Sequence, residues 1–139
     1  MTGARTGGCL CGAVTYTVTG PMRPVIACHC RQCRRTSGHH VAATAAPREM
    51  VAISGDPAWF ASSSTARRGF CGACGSNLFW DSPESATLSI FAGTLDDATG
   101  LALAGHIFTD DKGAYYEIAD GVPSAGGYDP ALTTRVAKG

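Results

Sequence analysis

The sequence predicts an all-β fold, built mainly of short antiparallel strands, with little helix. Three observations carry that expectation. Short runs rich in Val, Ile, Thr and aromatic residues recur along the chain. Eighteen glycines separate them with turns. No long stretch repeats apolar residues at the spacing of an amphipathic helix. With 139 residues, 45% of them hydrophobic and 16% charged, the chain suits one ordinary globular domain over residues 1–139, ending in a Gly/Pro-rich tail over 124–139.

From Gly12 to Thr19 the order alternates, setting Val14, Tyr16 and Val18 on one face and Thr15, Thr17 and Thr19 on the other, as in a half-buried strand. Gly20-Pro21 closes it, and Val25-Ile26-Ala27 begins an extended segment that runs into Cys28. After Cys33, Arg34 to Gly38 reads as a short helical turn ended by glycine, followed by an extended stretch from Val41 to Ala46. Met50 to Ile53 and Trp59-Phe60 predict two short strands around the turn Ser54-Gly55-Asp56-Pro57. Arg67 to Cys71, Asn77 to Trp80 and Thr87 to Phe91 supply further strands. Asp96 to Gly100 is a turn, and His106-Ile107-Phe108 and Tyr115 to Ile118 are the last extended pieces. Trp59, Trp80, Tyr115 and Tyr116 are expected in the core or in a pocket wall.

The formal net charge is zero, so no global field draws the protein to nucleic acid. The one basic patch is Arg31, Arg34 and Arg35. The opening residues lack the apolar core of a signal peptide, and no run of about 18 apolar residues suits a membrane span, so a cytoplasmic protein is expected.

Seven cysteines, an odd number with several close pairs, read as metal ligands rather than a secreted disulfide framework. In Cys9-Leu10-Cys11-Gly12 and Cys71-Gly72-Ala73-Cys74-Gly75 a glycine follows the second cysteine, and its access to positive φ lets backbone N–H groups curl toward metal-bound sulfurs. Two such pairs would close a tetrahedral zinc shell, which is a structural arrangement. The remaining Cys28, Cys30 and Cys33 offer three ligands; alternation in an extended chain aims Cys28 and Cys30 to one side and His29 to the other. Three ligands leave zinc an open position for water or a substrate thiolate, with Arg31, Arg34 and Arg35 available to bind carboxylates. The competing expectations are a second structural zinc completed by His39, His40 or His106, and arginines that are merely solvated. The spacing does not match an iron–sulfur ferredoxin run. Asp96 and Asp97 serve a turn, and Glu117 stands too isolated to assign a role.

Gly8 to Val14, Cys28 to Gly38 and Gly69 to Ser76, with Ala92 to Asp97, His106 to Phe108 and Asp120 to Pro123, closely resemble the glutathione-dependent formaldehyde-activating enzyme family over residues 7–123. The resemblance implies an Mss4-like, zinc-bearing all-β fold, with Cys9, Cys11, Cys71 and Cys74 as structural ligands and Cys28, Cys30 and Cys33 at a second zinc; two zinc sites are expected, with room for partial occupancy of the second. It further implies a carbon–sulfur lyase acting on a thiol adduct of a small aldehyde, such as S-(hydroxymethyl)glutathione, with glutathione as the partner. Where relatives often carry Ser-Arg-x-Pro-Trp, this chain has Asp110 to Tyr116. The alternative is a non-catalytic zinc module that binds a small thiol or a protein partner.

Overall fold

A computed structural model describes residues 4–133, so the last part of the expected tail, 134–139, lies outside the described residues. The fold is all-β, in two sheets. Strands β1 (Arg5–Gly8), β2 (Thr15–Val18) and β5 (Val51–Ser54) form an antiparallel three-stranded sheet in the order β1-β2-β5. Strands β3 (Val25–Cys28), β4 (Val41–Pro47), β6 (Ala58–Ala61), β7 (Arg67–Phe70), β8 (Asn77–Asp81), β9 (Thr87–Phe91) and β10 (Leu103–Ile107) form a second sheet in the order β10-β3-β4-β9-β8-β7-β6. All its pairings are antiparallel except β10 on β3. Helix α1 (Arg31–Ser37) and a single turn, α2 (Pro130–Thr133), are the α-helices among the described residues.

The alternation in β2 does what the sequence requires: Val14, Tyr16 and Val18 are all buried. They meet Leu78, Phe79, Leu88 and Ile90 of the larger sheet in the main core, with the Tyr16 and Phe79 rings edge to face at 5.4 Å. The buried Tyr16 hydroxyl pairs with Thr94 Oγ1 at 2.7 Å, which satisfies a polar group that would otherwise be costly to bury. On the other face of the larger sheet, Val41, Phe91 and Trp80 pack against Cys33 of α1. Gln32 donates to the Ser62 carbonyl and Asn77 to the Thr36 carbonyl, pinning the helix to this face.

The two strands expected around the Ser54–Pro57 turn are present, β5 in the small sheet and β6 at the edge of the large one. One expectation changes. Tyr115 to Ile118 is not a strand; Ala114 and Tyr115 form a turn and the rest is irregular. Side chains hold this segment in place of a backbone ladder, with Tyr116 bonded to His29 and Lys112 Nζ donating to the Tyr116 carbonyl at 2.6 Å.

Asp81 at the end of β8 is buried and receives Arg48 at 2.6 Å and Arg67 at 2.9 Å. Burial pushes its carboxyl up, but the two guanidinium groups outweigh this and hold it below the ordinary value. Because both arginines are partly exposed, Asp81→Asn is expected to cost about 1–2 kcal/mol at neutral pH. A carboxyl lowered by folding stabilises above its unfolded value, near pH 4, and loses that stabilisation as pH falls. Denaturant unfolding should therefore show the two proteins converging in acid, and equal stability at pH 7 would contradict the role assigned to this clamp.

Candidate metal centres

Cys9, Cys11, Cys71 and Cys74 come together from the β1–β2 and β7–β8 connections. Their sulfurs all lie within 4.8 Å of one another, and Cys11 Sγ is 3.7 Å from both Cys9 Sγ and Cys71 Sγ. A tetrahedron with metal–sulfur bonds of about 2.3 Å has edges of about 3.8 Å, so the donor set fits zinc. Gly12 and Gly75 adopt φ of 83° and 79°, the positive values their positions after the cysteines called for. The resulting curl aims the Val14 N–H at Cys9 Sγ (3.3 Å) and the Cys74 N–H at Cys71 Sγ (3.4 Å). Ser76 closes the knuckle, pairing with Cys74 Sγ at 3.2 Å and accepting from the Leu10 N–H at 3.0 Å. The Ser76 hydroxyl is the main cause that draws the Cys74 thiol down to about 5.

Cys28, Cys30 and Cys33 form the second group, again with all sulfurs within 4.8 Å. Cys28 ends β3, Cys30 is the N-cap of α1 and accepts from the Cys33 N–H at 3.4 Å, and Cys33 lies one turn into the helix. Hydrogen bonds from the Cys28 and Cys33 thiols lead the causes that drive the Cys30 thiol down, while the Cys28 thiol is pushed up by sharing that proton system and by burial. Taking up a divalent ion would release the thiol protons of the group. Arg68 on β7 reaches the same place: its Nη2 lies 3.7 Å from Cys33 Sγ and 3.4 Å from Gln32 Oε1.

His29 points away from the sulfurs, as alternation requires. Its Nδ1 pairs with the Tyr116 hydroxyl, its Nε2 with His106 Nδ1 at 2.8 Å, and His106 Nε2 with Asp120 Oδ2 at 2.8 Å. Burial, followed by the neighbouring His40 and His106, pushes the His29 imidazole down to about 4, which leaves the ring neutral at physiological pH. A neutral His106 would give the chain one polarity. The Asp120 carboxylate only accepts, so His106 donates from Nε2, His29 donates from Nε2, and Tyr116 donates to His29 Nδ1. These residues line a cleft of about 480 Å³ together with His39, His40 and Leu103.

The glutathione-dependent formaldehyde-activating enzyme family matches residues 4–111. The chain belongs to this family. A crystal structure of a Rhodobacter sphaeroides protein is similar to it with a TM-score of 0.56 and 21% sequence identity, covering 68% of this chain and 91% of that one; it supports the fold. No curated protein matches the sequence.

For this family member, the four-cysteine and three-cysteine groups assemble as the sequence spacing led one to expect. The histidine-completed alternative does not: among the described residues no histidine joins the three sulfurs, and both His106 nitrogens are engaged elsewhere. Arg31 and Arg35 are exposed on α1, whereas Arg34 is half-buried. The guanidinium that touches a sulfur is Arg68, which sequence reasoning missed because Arg67-Arg68 read only as part of a strand. Tyr116 lines the cleft, as its expected place in a pocket wall allows, but nothing in the local sequence of Tyr116 and Asp120 tells that they meet His29 and His106. No helix among the described residues is long and apolar enough to cross a membrane.

The polarity of the histidine chain is open to direct measurement. Long-range ¹⁵N NMR at pH 8 should find His29 and His106 both protonated at Nε2, with His106 losing that preference in Asp120→Ala. His29 protonated at Nδ1 in the native protein would contradict it.

Proposed function

We propose that the protein is a zinc-dependent carbon–sulfur lyase that makes and breaks the thiol adduct of a small aldehyde, with S-(hydroxymethyl)glutathione as the model substrate. The observation that carries this is the difference between the two cysteine groups: four sulfurs that close a shell, and three that leave one position for a ligand. Family membership supports the reaction type. Cys9, Cys11, Cys71 and Cys74 would hold a structural zinc, and Cys28, Cys30 and Cys33 the catalytic one. Zinc held by three thiolates supplies the positive charge that keeps an incoming sulfur ionised at neutral pH.

In the lytic direction the C–S bond of the adduct breaks and its electron pair stays on sulfur. The hydroxymethyl carbon becomes a carbonyl, and the hydroxyl proton passes to water. The reverse sequence forms the adduct. Arg34, half-buried next to Cys33, and the exposed Arg31 and Arg35 would take the substrate carboxylates, because guanidinium groups bind them by paired hydrogen bonds. All seven cysteines are free, which suits action in a reducing cytoplasm.

Exchange NMR with ¹³C-formaldehyde and glutathione tests this. Zinc-loaded protein should accelerate interconversion of free and thiol-bound formaldehyde, and Cys30→Ser should abolish the acceleration. Glutathione binding without acceleration would instead support a non-catalytic thiol-binding module. Absence of both binding and acceleration would exclude this substrate pair.

A further inference from the structure

Arg68 is 5% exposed, yet no carboxylate among the described residues pairs with it. The contrast with its neighbour is informative: Arg67 binds Asp81 and lies 3.8 Å from the centre of the Trp59 ring. Arg23, equally buried, also lacks a carboxylate and leaves Nε unpartnered, but both its terminal nitrogens donate, to the carbonyls of Ala43 and Thr133. Arg68 has only Gln32 Oε1 and Cys33 Sγ, both through Nη2, while its Nε and Nη1 are buried without a partner. A buried guanidinium is costly unless an anion compensates it, and the anionic groups on offer here are the cysteine sulfurs.

We infer that Arg68 is the built-in counter-charge of the three-cysteine metal centre and that it adapts the fourth position to an anionic sulfur ligand. A divalent ion with three thiolates carries one net negative charge, which Arg68 cancels. A fourth thiolate then brings the assembly to a single negative charge; without Arg68 the same ligand would have to enter a site that is already negative and out of water. The four-cysteine group needs no such cation. Cys11 is exposed there, and the Val14 and Cys74 N–H groups face its sulfurs. Arg68 is therefore a positioning residue that selects a thiolate over a neutral ligand, an inference that rests on the proposed open position.

Cobalt(II) substitution tests it by spectroscopy, independent of turnover. In the protein loaded with cobalt at both centres, glutathione should perturb the sulfur-to-metal charge-transfer and d–d bands. Arg68→Gln should weaken glutathione binding by about tenfold or more and loosen the three-cysteine cobalt while leaving the four-cysteine cobalt in place. Arg68→Lys, which keeps the charge, should lie much nearer to wild type and serves as the decisive variant if Arg68→Gln fails to fold. Unchanged cobalt and glutathione affinities in Arg68→Gln would overturn the inference, as would a Lys variant as impaired as Gln in a folded protein. If wild type binds no glutathione but Arg68→Gln still loses cobalt from the three-cysteine centre alone, the counter-charge stands and the open thiolate position fails.

Discussion

The closure of four sulfurs around one point is the constraint on which the rest of the structure depends. Cys9 and Cys11 leave the small sheet between β1 and β2, while Cys71 and Cys74 leave the large sheet between β7 and β8. A metal that drew them together would hold the two sheets, and the core of Tyr16, Val18, Leu78, Phe79 and Ile90 is shared between them. Burial of that core supplies the bulk of the stabilisation. A metal held by the four sulfurs would fix the register in which the sheets meet, and Val14 belongs to both the core and the cysteine group, since its side chain is in the core and its N–H faces Cys9.

With the sheets fixed, the end of β3 separates two chemistries. Cys28 faces α1, and the helix returns Cys33 to it, while Cys30 caps the helix between them. One residue along the chain, His29 faces the opposite way, into the imidazole chain that ends at Asp120. The parallel pairing of β10 with β3 makes this possible, because it sets His106 opposite Ala27, on the side of the sheet where His29 lies. Thiols and imidazoles thus occupy adjoining but distinct environments, one crowded with potential negative charge beside a guanidinium, the other holding a hydrogen-bonded chain of rings.

What could be foreseen follows from the range of the interactions involved. Strand alternation at Val14, Tyr16 and Val18, the helix stop at Gly38 and the curl at Gly12 and Gly75 are local, and the sequence states them directly. The cysteine groups were legible because two paired motifs and one triplet leave few ways to divide seven thiols. The contacts of Arg68, Tyr116 and Asp120 were not legible. Each acquires its role from a partner far away in the chain, and a lone arginine in a strand or a tyrosine beside a turn has no local signature. The same holds for Tyr115 to Ile118, whose apolar and aromatic residues imitate a strand while Lys112 bonds the Tyr116 carbonyl and His29 the Tyr116 hydroxyl.

The division between a structural and an open metal centre is tested most directly by counting zinc per chain in wild type, Cys30→Ser and Cys74→Ser, with folding followed on the same samples by circular dichroism. Two ions in wild type, one ion and an intact fold in Cys30→Ser, and a markedly destabilised domain in Cys74→Ser are predicted. Equal loss of structure in the two variants, or full zinc retention in Cys30→Ser, would contradict the account.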